Sequence, residues 1–404
     1  MKRFVLILSL FILPTQVSAT YIDPMGAGGG GWLFAGAFHP TNPDVILVGA
    51  DMYGISRTDD FGESWRPWND GLPDQDLVKN FYVQDLLGVE YQGQVYFYAA
   101  TVGGLFRAPT AGTWAKETPL ATYWFDRDCP QPPPWNPLFS WAIDPRTMSV
   151  PYSSLAWDGA SVLYAGAGMN RWQASSPYDN GTNSNFYPAI NQCDFTSPWG
   201  TTQYTVWSRD LASPAATWQP YTLASTTCEF GHARDITVKN LGGYKVVIVS
   251  TSSGVYMHDG QQGTPWRELT ICPLVYEGQD LGAIESVDEG LAFWSLHLTA
   301  RGTLYAAAQR YSDDSNDLVP GGVYRIHDVT APYDSLAWTW VGNDVDFPSP
   351  LNKSIRDIGC ELLTYPPYSV RAHLIHMSVV EGSGTGPDTI YLGDRKGNNG
   401  VFRA

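Results

Sequence analysis

The sequence has little charge, and most of that charge is of one sign. Charged side chains make up 16% of the 404 residues, and 40 acidic residues stand against 24 basic ones, for a formal net charge of −16. Proteins that bind nucleic acids or anionic membrane surfaces need a basic face, because both ligands carry negative charge. We therefore expect neither a nucleic acid nor a membrane as a partner.

Long apolar runs are missing after the first twenty residues. At the N-terminus, Lys2 and Arg3 precede an apolar run that is too short to span a bilayer. The residues that end at Ala19 fit the small-residue cleavage site of a signal peptide. This is the pattern of a secretory signal peptide. We expect residues 1–19 to be cleaved off near Ala19 and residues 20–404 to form one domain, secreted or periplasmic.

Cysteine is scarce, and its number is odd. An oxidising compartment permits disulfides, but five cysteines allow at most two bridges within one chain, and the sequence does not fix the pairing. Spacings typical of zinc ligands do not occur, so we expect no zinc site. The five residues are Cys129, Cys193, Cys228, Cys272 and Cys360.

The chain is rich in aromatic residues, at 14%, and has 40 glycines and 29 prolines, which favours a turn-rich β protein with a large core. One unit recurs: an apolar strand, a strand ending in small residues, a glycine-containing turn, and a third strand that often leads to a tryptophan. Four strands per repeat of about 40 residues are typical of a β-propeller. The units lie near residues 32–69, 80–117, 137–222, 233–270, 290–342 and 355–404.

These repeats predict an all-β fold, a single β-propeller of six or seven four-stranded blades. A seventh blade has room in the long third or sixth unit. The last unit ends at Ala404, just after its third strand. We expect residues 20–24 to supply the fourth strand, because pairing the two chain ends closes the ring and removes an exposed edge.

The first unit contains an Asp-box, Ser/Thr-x-Asp-x-Gly-x-Ser/Thr-Trp, formed by Thr58, Asp60, Gly62, Ser64 and Trp65. The carboxylate and the hydroxyls are expected to bond the backbone of their own turn, glycine to permit the tight bend, and tryptophan to pack between neighbouring sheets. We interpret the motif as a structural turn rather than a catalytic one.

The chain resembles the Asp-box propellers, a group with secreted sialidases, sortilin-type receptor domains, photosystem assembly factors and xyloglucanase-type glycoside hydrolases of family 74. Gly-Gly-Gly-Gly-Trp at 28–32 and AFHPTNPDVILVGADMYGISR at 37–57 are similar to the opening of family 74, and LGDRKGNNGVFR at 392–403 is similar to its second catalytic segment. The resemblance implies Asp51 as catalytic base and Asp394 as catalytic acid. Family 74 chains contain two propellers, whereas this chain has the length of one.

The repeat brings the same two aspartates together independently of the resemblance. Both lie between the second and third strands, in the first and last units, which closure makes neighbours. Three further aspartates stand where first strands begin, so five carboxylates are expected around one mouth of the channel, with two arginines beside them. We expect this set to bind substrate: Asp85, Asp235, Asp357, Arg234 and Arg356. An aspartate at such a position also often bonds backbone, and a ring of acidic oxygens suits Ca²⁺, so both alternatives stay open.

Long insertions fall on this same face and carry exposed aromatic residues. Flat apolar side chains suit the C–H faces of sugar rings, so we expect some to stack on a carbohydrate and others to pack their loops. Four of the five cysteines are expected in these loops. The candidate stacking residues are Trp124, Trp135, Trp172 and Trp199.

The sequence thus predicts a secreted, monomeric glycoside hydrolase that cleaves a polysaccharide with a pair of aspartates and no cofactor. An inverting enzyme needs carboxyl groups about 6.5–9.5 Å apart and a retaining one about 5–5.5 Å, and adjacent blades favour the larger spacing. The first alternative is a non-catalytic propeller that binds protein or glycan. The second alternative is a polysaccharide lyase. The sugar, the linkage and the enzymatic nature itself stay open.

Overall fold

The structure is a computed structural model of the chain. It describes residues 33–50, 54–72, 83–101, 104–117, 152–167, 205–213, 217–221, 233–251, 254–260, 264–276, 279–283, 291–310, 322–341, 374–383, 386–394 and 401–403. The expected signal peptide and the expected closing strand at 20–24 lie outside these residues.

Six β-sheets, which we number blades 1 to 6, follow one another along the described residues. Blades 1 to 3 are each built from four consecutive antiparallel strands. These are Leu33–Phe38 (β1), Ile46–Ala50 (β2), Ile55–Thr58 (β3) and Arg66–Pro67 (β4); Val83–Tyr91 (β5), Gln94–Thr101 (β6), Gly104–Pro109 (β7) and Ala115–Lys116 (β8); Tyr152–Trp157 (β9), Val162–Ala167 (β10), Val206–Asp210 (β11) and Gln219–Pro220 (β12).

Blade 4 repeats this order, blade 5 has two additional strands, and blade 6 has three strands within the described residues. A 3-10 helix, Tyr333–Ser335, precedes the last strand of blade 5. The strands are Ala233–Leu241 (β13), Tyr244–Thr251 (β14), Val255–His258 (β15) and Arg267–Glu268 (β16); Pro273–Tyr276 (β17), Gln279–Ala283 (β18), Leu291–Leu298 (β19), Leu304–Arg310 (β20), Gly322–Ile326 (β21) and Trp338–Trp340 (β22); Leu374–Val380 (β23), Thr389–Asp394 (β24) and Val401–Arg403 (β25).

The first strands of consecutive blades pack side by side from β1 through β5, β9, β13 and β19 to β23. This is the arrangement of a β-propeller, and the predicted all-β fold is confirmed. Because the strands of each blade alternate in direction, the connections between second and third strands share one face with the starts of the first strands. We call it the upper face, and the opposite one, with the Asp-box turn, the lower face.

The core lies between the blades rather than within them. Four hydrophobic clusters each join the facing sides of two consecutive sheets, from blades 1 and 2 to blades 4 and 5. Blades 2, 3 and 4 are therefore covered on both faces by their neighbours, which is why their strand residues are apolar on both faces.

A tryptophan occupies the same register position in blades 1 to 5. Directly after each fourth strand, one residue donates its backbone N–H to a carbonyl of the third strand. The tryptophan lies three residues before this donor residue. The indole N–H of Trp114 donates to the carbonyl of Trp68 at 2.8 Å, and that of Trp338 donates to the carbonyl of Leu269 at 2.8 Å, both in the preceding blade. Trp114 and Trp338 thus join consecutive blades by packing and hydrogen bonding. The series is Trp65, Trp114, Trp218, Trp266 and Trp338.

Two features of blades 4 and 5 were not predicted. The hairpin β17–β18, in the connection between these blades, pairs in parallel with β22, so that blade 5 has six strands. Cys272 precedes the hairpin as a free thiol, 4% exposed in the core between the two blades, rather than in a loop over the channel. Burial raises the pKa of this thiol to about 11. The other four cysteines lie outside the described residues.

In the part of the chain that the structure describes, no helix has the length and hydropathy that crossing a bilayer requires.

The Trp338 hydrogen bond predicts a difference in stability between two equally buried tryptophans. Trp338 is 0% exposed and donates to a carbonyl, whereas Trp218, 1% exposed at the same register position, has no hydrogen bond from its indole nitrogen among the described residues. Trp338→Phe should lower the free energy of unfolding by about 0.5–1.5 kcal/mol more than Trp218→Phe, because it removes one of the two hydrogen bonds to the carbonyl of Leu269, which then keeps only the N–H of Cys272. Urea unfolding of both variants measures this difference, and equal losses would contradict it.

Candidate functional site

The upper face carries the two aspartates expected to be catalytic. Asp394 is the last residue of β24, at the connection between the second and third strands of blade 6. Asp51 directly follows β2 in the matching connection of blade 1. Asp51 and the side chain of Asp394 lie outside what the structure describes. The other expected site residues outside it are Asp357, Arg356, Trp124, Trp135, Trp172 and Trp199.

Strand register shows that the two aspartates are not equivalent in the repeat. Leu33 pairs with Ala50 in blade 1, and Leu374 pairs with Asp394 in blade 6, in both cases just before a register shift. Asp394 therefore corresponds to Ala50, and Asp51 is one residue further along. The two residues share a connection but not a position.

Every first strand has this register shift, a β-bulge, at the same level near the upper face. A bulge adds one residue to a strand and redirects the side chains around it. The bulge residues of blades 2, 3 and 4 are Gln84, Ser153 and Arg234. Their positions explain why the expected site residues Asp85 and Asp235 recur: each directly follows a bulge.

Asp85 joins blade 2 to blade 3 through backbone N–H groups. One carboxylate oxygen accepts the N–H of Leu86 at 2.8 Å, and the other accepts the N–H of Leu155 at 2.7 Å. Leu155 lies on β9, which among the described strands pairs on one side only, with β10. The carboxylate therefore satisfies a donor on the unpaired edge of the next blade.

Asp235 repeats this arrangement between blades 4 and 5. Its carboxylate accepts the N–H of Ile236 at 2.9 Å and the N–H of Leu296, on β19, at 2.7 Å. Both aspartates are half-buried and make the backbone contacts that the sequence left open as the alternative to ligand binding. Substrate binding by either residue stays a prediction.

The bulge residues also reach the next blade. The Gln84 side-chain amide donates to the carbonyl of Tyr152 at 2.9 Å, and the Ser153 hydroxyl donates to the carbonyl of Ala233. The guanidinium of Arg234 lies 4.5 Å from the ring centroid of Trp294, the bulge residue of blade 5. Arg234 is only 3% exposed, so its positive charge is held within the propeller wall by a cation–π contact.

Blade 6 departs from the expected pattern of aspartates. Its first strand is Leu374–Val380, and the residue that follows its bulge is His376. Asp357, expected at the start of that strand, precedes it by 17 residues. The short sequence around Asp357 is similar to that around Asp235, and this local similarity is why the first strand of blade 6 was predicted to begin at Asp357 rather than at Leu374.

Two acidic residues of the described chain, Glu117 and Asp158, pair with basic residues of the next blade. Glu117 accepts from Arg107 at 2.7 Å and from Arg209 of the next blade, and Asp158 lies 2.6 Å from Lys245 of the next blade. Part of the excess negative charge is therefore used to hold blades together. Among the described residues, no group of three or more His, Cys, Asp and Glu side chains suits a metal ion.

The Asp-box turn on the lower face is held by its own polar side chains. Asp60 accepts the hydroxyl of Thr58 at 2.6 Å and the N–H of Ser64 at 2.9 Å, and the Thr58 hydroxyl accepts the N–H of Gly62 at 2.8 Å. Gly62 has a φ of 94°, a conformation that favours glycine. Hydrogen bonds from Ser64, and then from Thr58, lower the pKa of Asp60 from 3.8 to about 2. The tryptophan of the motif, Trp65, is half-buried.

Comparison with known proteins supports the fold. No protein-family model matches the chain, and no curated protein sequence is similar to it. An ancestral GH74 enzyme of known structure is similar at 14% identity and a TM-score of 0.54, covering 96% of this chain and 38% of that enzyme. The GH74 xyloglucanase from Xanthomonas campestris is 12% identical, with a TM-score of 0.42, covering 90% of this chain and 42% of the xyloglucanase.

PorZ, a surface component of the type-IX secretion system of Porphyromonas gingivalis, is 11% identical with a TM-score of 0.46, covering 93% of this chain and 40% of PorZ. The chain thus spans about two fifths of the length of each of these three proteins. At these identities the similarity to the ancestral enzyme shows the fold, a β-propeller, and nothing finer.

Loss of the Asp60 carboxylate should have a pH-dependent cost. Because the folded-state pKa of about 2 lies below the ordinary value of 3.8, the carboxylate stabilises the fold above about pH 4, and this contribution is lost as the pH falls toward 2. Asp60→Asn should therefore be less stable than the wild-type protein at pH 7, and the difference should shrink between pH 4 and pH 2. Denaturant midpoints across this range test it; a constant difference would contradict it.

Loss of either half-buried carboxylate should destabilise the fold. Asp85→Asn and Asp235→Asn each replace one accepting oxygen by an NH₂ group, so one N–H loses its acceptor, and unfolding should become easier by about 1–3 kcal/mol. The two effects should add, since the residues lie in different blades. Asp44→Asn, an exposed residue in the β1–β2 connection, is the matched control. Unchanged stability in urea would contradict the structural role.

Proposed function

We propose that this protein is a secreted glycoside hydrolase that cleaves a polysaccharide with Asp51 as base and Asp394 as acid. One observation carries the proposal: both residues belong to connections between second and third strands on the upper face, in the first and last blades. In a closed ring these blades are neighbours. Two carboxyl groups from neighbouring blades suit the spacing of about 6.5–9.5 Å that inversion requires.

The proposed reaction needs the two aspartates in different protonation states. Asp394, protonated, gives its proton to the glycosidic oxygen as the bond to the anomeric carbon breaks. Asp51, ionised, takes a proton from a water that attacks this carbon from the opposite side. A neighbouring carboxylate raises the pKa of an acid, which favours one protonated and one ionised member of the pair.

Similarity in fold to an ancestral GH74 enzyme supports this proposal by analogy. The chain covers 38% of that enzyme, so a cleft between two propellers is not part of the proposal. We propose instead that a single upper face binds the substrate, with Trp124, Trp135, Trp172 and Trp199 stacking on sugar rings. Secretion follows from the expected signal peptide, and we expect a monomer that needs no cofactor.

A non-catalytic propeller that binds glycan or protein is the second candidate. The contacts of Asp85 and Asp235 favour it, since these upper-face carboxylates accept backbone N–H groups of the next blade. A wall whose carboxylates are used in this way supports a rigid binding surface as well as a catalytic one.

Product release from a panel of β-glucans, xyloglucan and acidic polysaccharides tests the first proposal. Asp51→Asn and Asp394→Asn should each lower kcat/KM by about 10²–10⁴-fold, because each removes general acid or base catalysis. Asp44→Asn, which removes an exposed carboxylate from the lower face, should leave it unchanged. Proton NMR of the first product should show inversion at the anomeric carbon.

Two outcomes would overturn the assignment as an enzyme. One is product release that survives both substitutions. The other is the absence of product from every substrate. If a polysaccharide binds without cleavage, and Asp51→Asn and Asp394→Asn bind it as the wild-type protein does, the binding propeller is correct instead.

A further inference from the structure

His258 is a buried histidine that the proposed function does not use. It is the last residue of β15, so it lies at the lower end of a third strand in blade 4, and it is 0% exposed. The centroid of its ring lies 5.3 Å from that of Tyr221 in blade 3 and 5.2 Å from that of Trp266 in blade 4. The rings of Tyr221 and Trp266 are 6.0 Å apart. The imidazole is therefore part of the aromatic contact between the two blades.

Backbone groups bind both nitrogens of this ring. The N–H of Gly260 donates to Nδ1 at 2.9 Å. A ring nitrogen that accepts a hydrogen bond from an N–H carries no proton, so the neutral ring has its proton on Nε2. Nε2 lies 3.1 Å from the carbonyl oxygen of Thr264 and donates to it. The two backbone partners thus fix one tautomer, and they suit only the neutral ring.

The packing of Gly260 makes this arrangement intolerant of a second proton. Gly260 has a φ of 74°, and a Cβ atom at this position would lie 2.3 Å from the carbonyl oxygen of Lys245. The donor is therefore held between the ring and β14. A proton on Nδ1 would point at the N–H of Gly260, replace a hydrogen bond by a repulsion, and place a charge in a buried position.

The neighbouring charges do not compensate for burial of the charged ring. Asp259 favours the charged form, but its carboxylate already accepts the hydroxyl of Thr264 at 2.6 Å. Burial has the larger effect and lowers the pKa of His258 below its ordinary value of 6.5. The charged or titratable groups on the elements packed around the ring are Asp259, Tyr221, whose hydroxyl lies 3.4 Å from Nδ1, Tyr164, which packs on Tyr221, and the ion pair of Lys245 with Asp158.

We propose that His258 is a pH-sensitive switch on the lower face: protonation of its ring breaks the hydrogen bond to Gly260 and separates Trp266 from Tyr221. The switch is independent of the proposed catalytic pair, whose connections belong to the upper face. The closed arrangement binds a proton less well than the open one, so it is fully favoured above pH 6.5 and weakens as the pH falls. The opening equilibrium should rise by up to about tenfold per pH unit until the lower pKa of the closed arrangement is reached.

Amide hydrogen exchange of the full mature chain, followed residue by residue with NMR at pH 7 and pH 5, tests the switch. After correction for the intrinsic pH dependence of exchange, the Gly260 amide should open at least about tenfold more readily at pH 5. The amides of β6, in blade 2, are the internal reference for overall stability and should not change. Equal opening of Gly260 at both pH values would overturn the proposal.

Two variants assign the response to His258. His258→Asn retains an acceptor for the N–H two residues further on but takes up no proton, so the opening of Gly260 should be the same at pH 7 and pH 5. His327→Gln replaces an exposed histidine of blade 5 and should keep the wild-type response. A response that persists in His258→Asn, or that is lost in His327→Gln, would overturn the assignment.

The ring signals of the wild-type protein give a second measurement that does not depend on the folding of a variant. Heteronuclear NMR should show His258 neutral at pH 7 with its proton on Nε2. As the pH falls, protonation of the ring, loss of protection at Gly260 and shifts of the Trp266 and Tyr221 ring signals should have the same midpoint. Protonation of His258 while Gly260 stays protected would overturn the switch.

Discussion

Within the described part of the chain, each first strand has one edge that no neighbouring strand covers, and the rest of the propeller depends on how this edge is satisfied. Asp85 and Asp235 accept N–H groups from the first strand of the next blade, while Gln84 and Ser153 donate to carbonyls there. Unsatisfied backbone groups near the centre of a protein are costly, so these side chains do what a further strand does at the edge of an ordinary sheet. The bulge in every first strand places them at this level.

This constraint links the fold to the proposed chemistry. The same bulges that join the blades lie at the upper face, next to the connections that carry Asp51 and Asp394. A rigid wall holds reacting groups more accurately than a loop does, and accurate placement is a large part of catalysis. Asp85 and Asp235 use their carboxylates to join blades, whereas Asp51 and Asp394 are proposed to use theirs in catalysis.

The repeats, the strand order and the polar contacts of the Asp-box turn were predictable because they depend on short, local patterns. The bulges were not, since their residues, among them Gln84, Ser153, Arg234 and Trp294, share no chemical property. The role of Asp85 was not predictable either, because its partner is a backbone N–H 70 residues away. The pairing of the hairpin β17–β18 with β22 was not predictable for the same reason, because the two are distant in sequence.

The fourth strands have a consequence for how the protein behaves among other chains. β4, β8, β12 and β16 are only two residues long, and the hairpin β17–β18 covers the outer side of blade 5. Long, flat outer strands are templates on which foreign strands add and aggregates grow. Within the described residues, the outer strands of blades 1 to 4 therefore present few free backbone groups for such growth.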